Sequence, residues 1–488
     1  VSGPPGELLS TELECPVVAL GGAGRAPSPP LFAELFRGLV RDGWVPAEFG
    51  VSREPRSKPA GLCIGAAEAI STDTGPTLEL SPSPARNLAE LAARLDPLVA
   101  DAAARLERLG YAPLGSGVHP AVRPSAEDYF ALRTPRPSYD YVVRERGWHH
   151  WSILDVAAVQ EVVDVAFDDA PRAVRVLHRL AGLMNFLLRN DPDLTGARGG
   201  LLSVRPRAWR AHVPATARFA ADRSRVGLPE PEVTCWSDYL SLLWEAAPIL
   251  LVGTKSGGAA WLPEPPSFLE FLAQAPAGGW PARTLEGEDV RVVPGLAHLE
   301  QSDWTYMGFA RIRWKWAEAE DVVPRLVQAW RSRRIEDFLR ERLVKVVIEN
   351  RCNSAQPPGE ALVSVALVAG LLANLDEAEA LALAEPRELW LALLEASQTE
   401  PVAARVLGRH VPELARRMLD VARGGLERRG EPDARGALDP LERRLAERRS
   451  PAEELLRAWR EDGLQAFERR VLAPGAGLGA EAHRQNAR

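Results

Sequence analysis

Ser10-Thr11-Glu12-Leu13-Glu14-Cys15-Pro16-Val17-Val18-Ala19-Leu20 is the stretch from which the fold is read. It mixes β-branched and apolar residues with two acids and runs into Gly21-Gly22, the composition of a strand leaving for a loop. At strand spacing Glu12 and Glu14 point to the same face. Two like charges on a buried sheet face are costly unless cations compensate them, and hard oxygen ligands of this kind suit Mg²⁺. An isolated Glu-x-Glu is more often a solvated strand face, so its meaning depends on what surrounds it.

Working outward, Pro27 to Pro30 precede a helical pattern over 31–42 that Gly43 closes. Residues 62–80 hold two short strand-like pieces around the turn Asp73-Thr74-Gly75-Pro76. Glu79 interrupts the second piece between Leu78 and Leu80; alone, it reads most simply as a solvent-facing alternation. Leu88, Leu91, Leu95, Leu98, Ala102 and Leu106 mark one face of an amphipathic helix over 88–109, with a kink expected at Pro97. The polar, aromatic, Pro-containing residues 121–147 read as a loop region over a site. Helices are expected over 170–188, 317–340 and 358–375, a strand over 343–350, and a mainly helical region from 377 onward. Residues 475–488 read as a frayed tail. Strands interspersed with helices, without regular βαβ alternation or internal repeat, give an α+β class.

A third acid stands in Glu349-Asn350-Arg351, where a carboxylate and a guanidinium share one strand face after an apolar run. A metal ligand beside a phosphate-reading arginine and a structural ion pair fit this pattern equally. Other signals fall away. Gly21-Gly22-Ala23-Gly24 lacks the third glycine of a dinucleotide fingerprint. Lys255-Ser256 is preceded by Ile249 and Thr254 where a P-loop needs glycines. His149-His150 are adjacent and so diverge, and no HExxH or GxSxG occurs.

The 488 residues are 46% hydrophobic and 26% charged, ordinary for a globular chain. Cys15, Cys63, Cys235 and Cys352 are scattered, which argues against a zinc ribbon or a secreted disulfide framework and for a reducing cytoplasm. With 59 basic against 66 acidic residues and a net charge of −7, neither nucleic acid nor an anionic membrane is an expected partner. No signal peptide is visible. The most apolar stretches, 247–252 and 362–375, are shorter than the roughly 18–20 residues that span a bilayer.

The order of motifs is more specific than any one of them. Ser10-Thr11-Glu12-Leu13-Glu14 resembles the GTExE opening of the glutamate–cysteine ligases of the plant-type and bacterial branches. Ser71-Thr72-Asp73-Thr74-Gly75-Pro76-Thr77-Leu78-Glu79-Leu80-Ser81 is similar to that family's SLEPGGQLELS, and Leu114-Gly115-Ser116-Gly117-Val118-His119-Pro120 to its LGLGFHP. Arg136-Pro137-Ser138-Tyr139 resembles GRY, and Ala157-Ala158-Val159-Gln160 resembles ASVQ. Leu202-Ser203-Val204-Arg205-Pro206-Arg207-Ala208-Trp209 is similar to SYRSxxW, and Ile348-Glu349-Asn350-Arg351 to LExR.

The resemblance implies a glutamine synthetase-like fold, a curved antiparallel sheet forming a funnel packed by helices. It implies a catalytic domain over 7–375, to which the composition adds a helical region over 376–474 and a disordered tail over 475–488. The implied chemistry is ATP- and Mg²⁺-dependent: the γ-phosphoryl passes to a carboxylate, glutamate by default, and an amine, cysteine by default, attacks the acyl phosphate, as in glutathione biosynthesis. Glu12, Glu14, Asp73, Glu79 and Glu349 become metal-ligand candidates. Arg205 and Arg351 become catalytic carboxylate or phosphate binders, joined by Arg225, while His119 and Gln160 line the pocket. Val162 replaces an expected Asn, and Cys352-Asn353-Ser354-Ala355-Gln356 replaces a family acid. These departures sit at the substrate end, so a different amino acid or a peptide is the alternative substrate, and a non-catalytic binding protein a third reading.

Overall fold

In the computed structural model, which describes residues 8–20, 25–46, 62–65, 68–134, 136–252, 259–318, 321–431, 433 and 436–472, one antiparallel sheet organises the chain. Its strands are Leu9–Ala19 (β1), Val45–Pro46 (β2), Leu62–Ile64 (β3), Ala69–Thr72 (β4), Thr77–Ser81 (β5), Tyr111–Pro113 (β6), Val159–Asp164 (β7), Ala310–Trp316 (β8) and Leu343–Asn350 (β9). They lie in the order β8-β9-β7-β1-β5-β4-β3-β2, with β6 joined to the end of β1. The expected α+β class, a curled antiparallel sheet packed by helices, is what the chain adopts.

Strand alternation divides β1 into two functions. Leu9, Thr11, Leu13 and Cys15 are buried toward the helical layer, where Val363–Ala373 packs on β1 and β7. Glu12 and Glu14 face the other way, opposite Gln160 of β7 and Glu79 of β5 respectively. The same register carries the row onward, setting Val162 opposite Glu349 and Glu349 opposite Arg311 of β8. One face of the sheet is therefore core, and the other carries charge.

The helices that matter for the site are Pro29–Arg41 (α1), Leu88–Arg108 (α2), Ala126–Leu132 (α3), Pro137–Arg144 (α4), Ala170–Leu188 (α5), Arg205–His212 (α6), Val363–Ala373 (α7), Arg387–Ala396 (α8) and Val411–Arg429 (α9). In α2 the side chain of Asn87 caps Glu90 N–H, and the leucine stripe is buried as its spacing predicts. Helix α5 is buried almost all round and packs on β8, β9 and α8. Each of its leucines contributes about 1.5–3 kcal/mol by leaving water. Helices α7 and α9 cross in backbone contact: a Cβ on Gly425 would lie 1.8 Å from the Gly370 carbonyl oxygen. These C-terminal helices share the central core with the sheet. Arg444 reaches back to Gln356 and to the Leu187 carbonyl, and Arg189 bonds the Ser397 and Glu400 carbonyls.

Two expectations are corrected. Residues 121–147 are not loop throughout, because Ser125 caps α3 at Asp128 N–H and Pro137 opens α4. The single helix expected over 317–340 is two, Val322–Arg331 and Ile335–Arg342, parted at Arg333 with φ +56°. The expected tail over 475–488 and the glycine runs at 21–24 and 253–258 lie outside the described residues. No helix among the described residues is long and apolar enough to cross a membrane.

Candidate active site

The charged face of the sheet lines a cavity of about 390 Å³, within the range of small-molecule sites. Glu12, Glu14, Asp73, Glu79, Gln160, Arg205 and Arg351 all line it. These residues come from β1, the β4–β5 turn, β5, β7, the start of α6 and the end of β9, so the sheet gathers motifs far apart in sequence.

On the carboxylate side, Glu14 accepts hydrogen bonds from Ala158 N–H and Gln160 Nε2, each at 2.7 Å. Burial, then Asp73 beside it, pushes its carboxyl up to about 7. Glu79 accepts from Ser71 Oγ at 2.6 Å. Burial, then the charges of Glu12 and Asp73, hold Glu79 well above the usual carboxylate range. Glu12 is raised by burial and by Glu349. The group is thus short of positive charge. Among the described residues no three His, Cys, Asp or Glu side chains close into a compact cage. Mg²⁺ keeps several waters and needs only one or two carboxylates beside substrate phosphates, so an open, oxygen-rich, charge-deficient wall fits it.

Across the cavity from the carboxylates is an arginine wall. Glu349 does not line the cavity; both its oxygens are taken, at 2.7–3.0 Å, by Arg311, Arg313 and Arg351. Those cations hold its carboxyl far below the usual range despite burial. The expectation of Glu349 as a metal ligand gives way here to an anchor that fixes three guanidiniums. Arg205 donates to the Arg351 carbonyl through Nε at 3.1 Å and Nη2 at 2.9 Å, and its own N–H is held by Asp191 at 2.7 Å. Both guanidiniums lie over the Trp209 ring, at 5.6 and 5.4 Å.

Two candidates stand elsewhere. His119 spends Nε2 on the Val17 carbonyl and Nδ1 on Ala121 N–H, so it ties β1 to a loop rather than lining the cavity. Arg225 joins Arg146 on Asp222, which also accepts from Trp148 Nε1 at 2.8 Å. Asp222 in turn holds Trp148, which lines the cavity, so Arg225 stands behind the lining.

Sequence reasoning missed Arg311 and Arg313, although their i, i+2 spacing in Ala310-Arg311-Ile312-Arg313 is a strand signal. It also missed His150, His212 and Trp209. His150 bonds Thr74 Oγ1 at 3.2 Å and His212 at 3.3 Å, with Tyr139 packed 4.7 Å away. Tyr139 in turn bonds Asp73 at 3.3 Å and accepts from Arg136 at 3.0 Å. An arc of rings thus joins the carboxylate wall to the arginine wall.

A family model described as glutamate-cysteine ligase family 2 matches residues 51–470. No curated protein sequence matches the chain. Among solved structures, a glutamate–cysteine ligase from Francisella tularensis in complex with AMP is similar at 12% identity and TM-score 0.51, over 95% of this chain and 86% of that one. A bifunctional glutathione synthetase from Pasteurella multocida aligns at 12% identity and TM-score 0.49 over 98% of this chain, which spans 52% of that enzyme's length. The ligase PafA in its complex with the prokaryotic ubiquitin-like protein Pup aligns at 9% identity and TM-score 0.45, over 99% of this chain and 76% of that one. At these identities the Francisella structure speaks for the fold.

Proposed function

The chain belongs to glutamate-cysteine ligase family 2, a family of ATP-dependent carboxylate–amine ligases, and from that premise we propose that it forms an amide from glutamate and an amine through an acyl phosphate. The supporting observation is one cavity with a carboxylate wall short of positive charge and an arginine wall fixed by Glu349. A carboxylate is a poor electrophile, and phosphorylation supplies its leaving group.

Glu12, Glu14, Asp73 and Glu79 would hold Mg²⁺, which neutralises phosphate charge and orients the transferring group. Arg351, preset by Glu349, and Arg205, whose guanidinium is held on the Arg351 carbonyl, bind the carboxylate and phosphate oxygens and stabilise the charge that develops during transfer. Gln160 lines the cavity and is fixed by Glu14; its buried Oε1 has no partner among the described residues, which leaves it able to accept a substrate N–H on opening. Because these groups are already oriented, little reorganisation is needed at the moment of reaction.

Cysteine is the default amine. A changed acceptor, another amino acid or a peptide, is favoured by Val162, whose register opposite Glu349 puts an apolar side chain on the charged face. The test is ADP release with Mg²⁺-ATP and glutamate, with and without cysteine, followed by mass spectrometry. Cysteine-dependent ADP with γ-glutamylcysteine supports the default; ADP dependent on another amine supports the changed acceptor; absence of ATP binding refutes the ligase reading.

A further inference from the structure

Thr74 Oγ1 donates to Asp73 Oδ1 at 3.4 Å, which leaves its oxygen to accept His150 Nε2–H at 3.2 Å. A neutral imidazole carries one N–H. With that proton on Nε2, His150 Nδ1 is an acceptor, and the 3.3 Å contact to His212 Nε2 requires the proton to lie on His212 Nε2. In that arrangement the tautomer passes from Thr74 through two rings and leaves His212 Nδ1 as a lone-pair acceptor. That atom is buried and has no hydrogen-bond partner, while His212 lines the cavity.

Three neutral side-chain acceptors on the cavity lining lack a partner among the described residues: Gln160 Oε1, Gln301 Oε1 and His212 Nδ1. An amide oxygen accepts hydrogen bonds but is not a proton-accepting base, whereas the free nitrogen of a neutral imidazole is both. An amine that attacks an acyl phosphate has a proton to lose, and a positioned base facilitates that loss. The arginines cannot serve, because each is donor only.

We propose that His212 receives the nucleophilic amine, its Nδ1 accepting the amine N–H and taking the proton as the amine attacks. The inference rests on the ligase reading. The C–N bond forms, the acyl C–O bond to phosphorus breaks with its electron pair leaving on phosphate, and one amine proton moves to Nδ1. The imidazolium then returns its proton to solvent. His150 and Thr74 are positioning residues. The groups that face His212 are His149 and His150 from the segment before β7, Trp148, Trp209 of its own helix and Arg351 at the end of β9. Burial and these neighbours keep the ring neutral, hence available to accept.

The experiment compares two nucleophiles on the full chain with Mg²⁺-ATP and L-glutamate. One is hydroxylamine, a weakly basic amine that is already unprotonated at neutral pH. The other is the amino acid that the wild-type protein accepts, L-cysteine first. Circular dichroism and a melting curve verify folding of each variant. In His212→Asn, amide formation with the amino acid is expected to fall about 100-fold or more, while hydroxamate formation stays within about threefold of wild type. Thr74→Val keeps both histidines and is expected to shift the same ratio in the same direction, about 10-fold. Equal loss with both nucleophiles, or no loss with either, overturns the role of His212. Wild-type protein that yields neither hydroxamate nor amide overturns the ligase reading beneath it.

Discussion

Glu14 and Glu79 stand directly opposite each other on adjacent antiparallel strands, inside the cavity. Like charges so placed destabilise a sheet, and nothing in the packing requires two acids there. The juxtaposition is tolerable only when a cation, or protons, neutralise it.

Glu79→Gln is therefore expected to raise the melting temperature of the metal-free protein by a few degrees, since a repulsion worth on the order of 1 kcal/mol is removed. The same substitution is expected to abolish stabilisation by Mg²⁺ and to cost at least about 100-fold in ATP turnover. Thermal melts with and without Mg²⁺ check both; a variant less stable than wild type without metal refutes the repulsion.

Asp222→Ala leaves Arg146 and Arg225 without their shared carboxylate. Removing one partner of a buried pair costs about 3–5 kcal/mol, and both arginines are almost wholly buried. Urea denaturation is expected to show that loss. Arg225→Lys is expected to lower stability more than it changes KM for ATP, as suits a residue behind the wall.

His178 accepts Ala310 N–H through Nε2, and burial lowers its pKa to about 4. A histidine depressed in the folded state takes up its proton first in the unfolded chain, so its contribution is present above about pH 6.5 and is lost as pH falls toward 4. The cost of His178→Gln relative to wild type is expected to be smaller at pH 5 than at pH 7.5 by about 2 kcal/mol. Denaturant midpoints at the two pH values measure it; a pH-independent difference refutes it.

Cys352 is buried, and burial, then the charge of Glu161, pushes its thiol up to about 12. Thiolate is the reactive form. Native protein treated with iodoacetamide at pH 8 is expected to be alkylated at the half-buried Cys235 and spared at Cys352 until denatured, as peptide mass spectrometry would show.

What the sequence made legible follows from where period two or period 3.6 was uninterrupted. β1, α2 and α5 were readable because their apolar residues keep one spacing. Helices α3 and α4 were not, because Tyr, Pro and Arg in 121–147 have a loop's composition; the signals that contradicted it were Ser125 as a cap and Pro137 as a first-turn residue. For the cavity, motif order brought Glu12, Glu14, Asp73, Glu79, Gln160, Arg205 and Arg351 to one place, since a strand register aligns residues that are distant in sequence. Arg311 and Arg313 escaped because tryptophans masked the alternation in β8. His119 and Arg225 were misplaced because a polar residue inside a motif serves the backbone as readily as a ligand, and only the hydrogen-bond partners distinguish the two.

The reach of Arg444 to Gln356 ties the last helices to the segment beneath the arginine wall, although Arg444 itself does not line the cavity. The segment after Arg351 is held from below by Arg444, 88 positions beyond Gln356, so a contact of the C-terminal helices bears on the strand end that carries the arginine wall. Arg448 and Arg449 form an exposed corner between two helices, open to a trypsin-like protease. Cleavage there is expected to weaken that buttress, and with it the proposed ligase activity.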